Sequence, residues 1–283
     1  MGAFGVDRRL RDRLERLRRR YGAGYLSSDP LEFPHRYRSP LDREVVGLVA
    51  SSLAYGNVKT IRRSVERVLE PLGESPGFRV ARTDAKHLLR DLRGFRHRWT
   101  GARDVACLLA LAGRMIQERG SIGAFFEDGY SEGDMEGSLR RFSERALALD
   151  HGGLYRWRSI PEGAGVRFFF PSPLTGAAKR LNMYLRWMAR PDDGVDLGLW
   201  NAVRTRDLVI PLDTHIFRIG RHFGWTGRKT PGFRAAFDIT RSLARFDPED
   251  PVKYDFALSR LGILEGCPRH ARPLDCELCA LAA

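Results

Sequence analysis

Apolar residues recur along most of this chain with the spacing of an α-helix, at i, i+3, i+4 and i+7. Residues 41–55 begin after Pro40 and are apolar enough for a buried helix; Gly56-Asn57 breaks the run. A second helix follows, with Ile61, Val65, Val68 and Leu69 in one stripe, and Pro71, Gly73 and Pro76 end it. Residues 102–118 form a strong helix through Val105, Leu108, Leu109, Ala112, Met115 and Ile116, and 134–148 form another. Between Asp150 and Ser172 the chain is rich in Gly and Pro around Phe168-Phe169-Phe170. Helical spacing resumes over Lys179–Met188, stops at Pro191-Asp-Asp-Gly194, and returns after Asp213, where Ile216, Ile219 and Phe223 share a face. Residues 232–245 and 251–264 complete the set, the last with Phe256, Leu258, Leu261 and Ile263 as its apolar face. No strand ladder of period 2 and no internal repeat is visible. The expected class is all-α.

The N-terminus opens on a basic amphipathic helix. Leu10, Leu14, Leu17 and Tyr21 fall on one side of it, amid the arginines of residues 8–20. It can dock on the body of the protein through that stripe, or turn its arginine face to phosphates or a membrane surface. No apolar run reaches the ~18–20 residues of a membrane span, and no signal-peptide core is present. A cytoplasmic, nucleoid-associated monomer that leaves membranes alone is the expectation.

Charge sharpens the picture. The net charge is +13 in 283 residues, which favours a polyanionic partner such as DNA. Only five of the 48 basic residues are lysine: Lys59, Lys86, Lys179, Lys229 and Lys253. Arginine suits phosphate contacts but stays protonated, whereas lysine can lose its proton in a buried site and act as an amine nucleophile. Few positions are therefore open to amine chemistry.

One pairing stands out. The apolar run Leu208-Val-Ile-Pro-Leu delivers Asp213 to the start of a helix, and Lys179 follows a small-residue turn, Pro171-Ser-Pro-Leu-Thr-Gly-Ala-Ala. A carboxylate against a deoxyribose ring stabilises the positive charge that develops when the base leaves. A neutral amine can add to the anomeric carbon, and the resulting imine permits strand cleavage by elimination. Asp213 could equally be a helix N-cap and Lys179 a phosphate contact. Lys253 is the second candidate amine, although pairing with Asp255 or Asp250 on the surface is its expected role. His215 could orient Asp213 or pack, and His222 faces solvent or DNA.

The segment Leu212-Asp213-Thr214-His215-Ile216-Phe217-Arg218 resembles the catalytic-aspartate segment of the helix-hairpin-helix (HhH-GPD) DNA glycosylases of the endonuclease III kind. Ser172-Pro-Leu-Thr-Gly-Ala-Ala-Lys179 is loosely similar to their hairpin turn, with one glycine missing and one residue more between glycine and lysine. The longer gap from lysine to aspartate looks like that of archaeal 8-oxoguanine glycosylases, in a divergent bacterial branch. Val46–Val58 is similar to the family's buried helix and the turn that fills the gap left by an extruded base, with Tyr55 and Asn57 in the filling positions. The similarity spans roughly residues 41–70 and 171–283.

That resemblance implies two helical lobes with a helix-hairpin-helix and a DNA-binding cleft between them. Residues 41–205 form the central lobe with the hairpin, and 1–40 plus 206–283 the second. It implies a DNA N-glycosylase and AP lyase acting on double-stranded DNA, with Lys179 as nucleophile and Asp213 as proton acceptor and electrostatic stabiliser. A purine lesion such as 8-oxoguanine is the implied target. The amides of Thr175, Gly176 and Ala177, with Arg180, Arg218 and Arg221, are expected at the phosphates, and His215 beside them. Two other classes stay open: a non-catalytic nucleic-acid binder with the same fold, and an RNA-acting relative.

The C-terminus carries Cys267-Pro-Arg-His270-(x5)-Cys276-Glu-Leu-Cys279. Three cysteines and a histidine suit tetrahedral zinc. A degenerate iron–sulfur site and a metal-free tail are the alternatives, and the chemistry itself needs no cofactor. Cys107, in an apolar helix, reads as core.

Overall fold

The computed structural model describes residues 8–264. The chain is mostly helical, as the periodicity predicts. Its helices are α1 (Arg8–Arg20), α2 (Glu32–His35), α3 (Pro40–Ser52), α4 (Val58–Leu69), α5 (Pro76–Arg82) and α6 (Ala85–Asp91). A short antiparallel hairpin follows, β1 (Arg96–His97) and β2 (Thr100–Gly101), with His97 opposite Thr100. Then come α7 (Ala102–Arg119), α8 (Ile122–Glu127), α9 (Met135–Ala148), α10 (Lys179–Ala189), α11 (Thr214–His222), α12 (Phe233–Leu243) and α13 (Asp255–Leu264). The hairpin corrects the expectation of no strands: with two residues per strand there is no alternation for a sequence to display.

Helix α3 lies at the centre of one group of elements, packed by α2, α5, α7, α8 and α10. Pro40 starts it, where a missing N–H costs nothing. At Gly47 a β-carbon would come within 2.4 Å of Met188 Cε and 3.3 Å of the Tyr184 ring, so α3 and α10 pack closely where they cross. The Tyr184 hydroxyl donates to the Glu44 carbonyl (3.0 Å) at the same crossing. The Glu44 carboxylate reaches the other way. It accepts from the backbone N–H groups of Ile122 (2.8 Å) and Gly123 (3.2 Å) and from Trp200 Nε1 (2.7 Å), closing the N-terminus of α8 from a different helix. Burial pushes this carboxyl above its ordinary range.

A second group consists of α1, α11, α12 and α13 with the 3₁₀ turn Pro251–Tyr254. Helix α11 lies between two glycine contacts: a β-carbon on Gly220 would meet Ile239 Cδ1 of α12 at 2.5 Å, and one on Gly262 of α13 would meet His215 Cβ at 2.5 Å. Helix α1 docks here by Leu14, Leu17 and Tyr21, all buried, while Arg11, Arg16, Arg19 and Arg20 face outward. Its Glu15 accepts from the Tyr254 hydroxyl (2.8 Å) and pairs with Lys253 (2.7 Å). Of the expected face of α13, Phe256, Leu258 and Leu261 are buried but Ile263 is exposed, because the buried side turns toward α11 and α1.

Buried ion pairs fasten α10 to the second group. Arg186 pairs with Asp196 (3.1 Å) and with Asp255 at the start of α13; Arg190 pairs with Asp196, Asp193 (3.0 Å) and Asp250 (3.0 Å). Such pairs add little net stability over an apolar core, but losing one partner strands a charge and costs about 3–5 kcal/mol. They fix the relative placement of the elements that carry the site.

The helix-hairpin-helix expectation is corrected here. The turn Ser172–Thr175 closes by the Thr175 N–H to the Ser172 carbonyl (3.2 Å), but a 3₁₀ turn, Gly165–Phe168, precedes it in place of an α-helix. The Gly- and Pro-rich chain before it cannot sustain the missing helix. Among the described residues no helix is long and apolar enough to cross a membrane.

Candidate functional site

A cleft of about 760 Å³ opens where α10, the N-termini of α11 and α13, and the turn between α3 and α4 meet. Lys179, Asp213 and Asp255 all line it. The two residues singled out from sequence are thus brought to one place.

Each is there for a local reason. Ala178 takes a left-handed backbone (φ 46°) and Lys179 begins α10 directly after it. That conformation is uncommon for alanine and costs on the order of 1 kcal/mol. Lys179 is half-buried, and among the described residues it forms no ion pair. The buried, extended segment Leu208–Leu212 is pinned by the Ile210 N–H donating to Thr240 Oγ1 (3.0 Å), and it brings Asp213 to the N-cap of α11. Asp213 Oδ1 accepts from the N–H groups of His215 and Ile216, both at 2.8 Å. The capping role anticipated for this residue is real, and it occupies one carboxylate oxygen.

Asp255 was missed from sequence except as a surface partner for Lys253. It is buried, the first residue of α13, and paired with Arg186. Burial raises its carboxyl to about 6; the charge of Asp213 pushes the same way, against Arg186 and the more distant Lys179. Asp255 thus lies within electrostatic reach of both of the other groups. The available signal was an acid set inside the apolar run Tyr254-Asp-Phe-Ala-Leu258, which a surface role does not explain. Lys253 itself pairs with Glu15 and Asp247, each at 2.7 Å, in place of Asp255 or Asp250, and it does not line the cleft. Two donors on cleft-lining side chains, Trp187 Nε1 and Arg260 Nε, are buried without a hydrogen-bond partner.

The other expected contacts divide. Tyr55, Asn57, Ala177 and His215 line the cleft. The Tyr55 hydroxyl bonds Thr100 Oγ1 (2.5 Å) and donates to the His97 carbonyl (3.1 Å), which fixes the ring against the hairpin. Asn57 caps α4 by accepting from the Lys59 N–H (2.9 Å). The His215 ring packs against Gly262, so it braces α11 on α13. Thr175 is exposed and its hydroxyl donates to the Ser172 carbonyl (3.1 Å); nothing crowds Gly176. Arg180 is turned inward: its guanidinium donates to the carbonyls of Ser52 (3.2 Å) and Phe168 and lies over the Phe168 ring, 3.4 Å from its centroid. Burial lowers it to about 10. Those bonds explain its position without a phosphate. Arg218 and Arg221 are exposed on α11.

Cys267, His270, Cys276 and Cys279 lie outside the described residues, and among those described no cluster of His, Cys, Asp or Glu could hold a metal. Cys107 is buried in α7, its thiol pushed up to about 12 by burial and by Asp104. A second hollow, of about 350 Å³, holds Asp207, which already accepts from the Tyr130 hydroxyl and the Gly133 N–H (3.1 Å), and no lysine.

Fold and site together define a helical protein whose main cleft presents an amine and two carboxylates. The chain belongs to the family described as "protein of unknown function (DUF2400)", whose model matches residues 29–264. That match overturns the resemblance to helix-hairpin-helix glycosylases: the family found over most of the chain is a different one, and the implied 8-oxoguanine target falls with the resemblance. No curated protein and no solved structure matches the chain.

Proposed function

We propose that the chain is a DNA base-excision enzyme, a glycosylase with lyase activity that works on a nucleoside drawn into the Lys179–Asp213 cleft. The observation that carries the reading is the convergence of Lys179, Asp213 and Asp255 on one cavity. Its size, about 760 Å³, suits an extruded nucleotide, and the net charge of +13 suits the backbone on either side. DNA lies across the cleft mouth, between the group around α3 and the group around α11, with exposed Arg218 and Arg221 toward phosphates.

In this reading the Asp213 carboxylate stabilises positive charge on the sugar as the base departs. The Lys179 nitrogen, once its ammonium has given a proton to Asp213 that passes to the departing base, forms a bond to C1′ while the glycosidic C–N bond breaks, its electron pair leaving with the base. A second proton, lost from the lysine nitrogen once that bond has formed, passes to Asp213 and on to solvent. Breaking C1′–O4′, with a proton taken up by O4′, gives an imine; Asp213, having passed its earlier proton on, takes a proton from C2′, and the C3′–O bond breaks as the 3′ phosphate leaves. Asp255 adds a second acid behind the first. The test is borohydride trapping on DNA with an abasic site. A covalent adduct should form with the native chain and vanish in Lys179→Ala. Absence of both adduct and base release from damaged duplexes would remove the enzymatic reading.

A second reading, a non-catalytic binder, is favoured by one observation: Asp213 Oδ1 is committed to two amides, leaving only Oδ2 for a substrate. DNA binding with neither adduct nor base release is its signature.

A further inference from the structure

The β1–β2 hairpin carries a feature that the lysine chemistry does not use. Its two-residue turn is Arg98-Trp99, with Arg98 in the left-handed region at φ 54°. Such turns favour positive φ because it matches the twist of the strands, and glycine or asparagine usually supplies it. Here an arginine does so, and it places a tryptophan at the tip with 56% of its surface exposed.

That indole is held, not loose. It stacks on Tyr55 (centroids 4.7 Å apart, 24° between planes) and meets Phe168 edge-on at 5.3 Å. Tyr55 is fixed by its bonds to Thr100 and His97. Buried His97 ties the hairpin to the α3–α4 turn, with Nε2 at 3.0 Å from the Tyr55 carbonyl and Nδ1 at 2.9 Å from Ser64 Oγ. Guanidinium groups border the cluster: Arg98 lies over the Trp99 ring, 5.2 Å from its centroid, with its side chain beside Gly56, and Arg96 donates to the Arg98 carbonyl (3.1 Å). Among the described residues neither Arg96 nor Arg98 forms an ion pair. The stack also has a direction, because Tyr55 and Gly56 line the cleft, so Trp99 stands one ring away from it.

We propose that Trp99 is a stacking platform for an unpaired base of single-stranded DNA next to the nucleotide held in the cleft. The proposal rests on the reading that nucleic acid occupies the cleft, and adds to it a preference for a strand whose neighbouring base is free to stack. A rigid indole, backed by aromatic rings and exposed over more than half of its surface, offers aromatic area to a base, and every base has a face to lay on it. Arg96 and Arg98 complement the phosphates of the same strand. A paired duplex keeps its base faces covered and gains nothing from Trp99.

Fluorescence anisotropy of the full chain at fixed salt, on a labelled single strand and on its duplex, tests this. The single strand should bind more tightly than the duplex. Trp99→Ala should weaken it by roughly tenfold while leaving duplex binding unchanged, and Trp99→Phe should retain most of the affinity. Trp157→Ala is the control, since Trp157 is also exposed and also lies beside an arginine, Arg156, but has no ring partner at the cleft. Equal binding of both strands by the native chain, wild-type behaviour of Trp99→Ala, equal loss on strand and duplex, or an equal loss in Trp157→Ala each overturns the platform. The borohydride adduct reports on Lys179 separately: platform loss with trapping intact sinks this inference alone, and the reverse pattern sinks only the lyase.

Discussion

In the proposed reading Asp213 divides its work between two oxygens, and substitutions can separate the shares. Oδ1 caps α11; the charge faces the cleft. Asparagine keeps a capping oxygen and removes the charge, so Asp213→Asn should leave the melting temperature nearly unchanged while base release falls by about 10²-fold or more. Asp213→Ala should lose activity similarly and also about 1 kcal/mol of stability. Denaturant melts beside single-turnover assays check both; an Asn variant as active as the native chain would leave the carboxylate no role but capping. Sequence exposed this residue through its neighbours, an apolar run into a periodic helix. For Asp255 it offered only an acid inside an apolar run; the pairing with Arg186, far away in the chain, is visible only in the fold.

At the scale of elements, the longer helices were legible because their apolar stripes persist for three turns or more, as in α3, α4, α7 and α9. Helices α5, α6 and α8, of seven, seven and six residues, escaped notice because one or two turns hold too few apolar positions to define a period. The hairpin was illegible for the same reason, yet it carries a pH-sensitive joint. Burial holds the His97 imidazole below its ordinary pKa, with Arg98 adding to the effect against the bonds to the backbone. The unfolded chain therefore takes up a proton near pH 6.5 that the folded hairpin refuses. Stability from this residue is full above that pH and is lost as pH falls toward the depressed folded value. The buried Asp255 acts oppositely in the folded state, since its raised carboxyl favours folding as pH falls through about 6. Comparing native and His97→Gln chains cancels that background. The native chain should lose more stability between pH 7.5 and 5 than the variant does, and equal losses in paired thermal melts would show that His97 takes no part.

Across the whole molecule, the family match begins at residue 29, whereas the buried surface does not. Helix α1 lies before the match and still contributes Leu14, Leu17 and Tyr21 to the core, with Glu15 bonded to Lys253 and Tyr254. Burying three such side chains is worth several kcal/mol at about 1.5–3 kcal/mol each, an upper range because the unfolded chain already shields some apolar surface. Deleting residues 1–21 should lower the urea midpoint markedly; an unchanged midpoint would mean that the helix merely rests on the surface. The charge pattern of α1 suggested two faces but could not say which one was used, since docking depends on the apolar groove that α13 offers.

Glu44 has a consequence in time as well as in space. Six residues are too few for α8 to persist alone, and the carboxylate that completes its first turn belongs to chain made 78 positions earlier. Synthesis from the N-terminus therefore delivers the acceptor before the amides that need it. Residues 122–127 emerge after the carboxylate that caps them, whereas Tyr184 and Trp200, which bond the same glutamate, are still to be made.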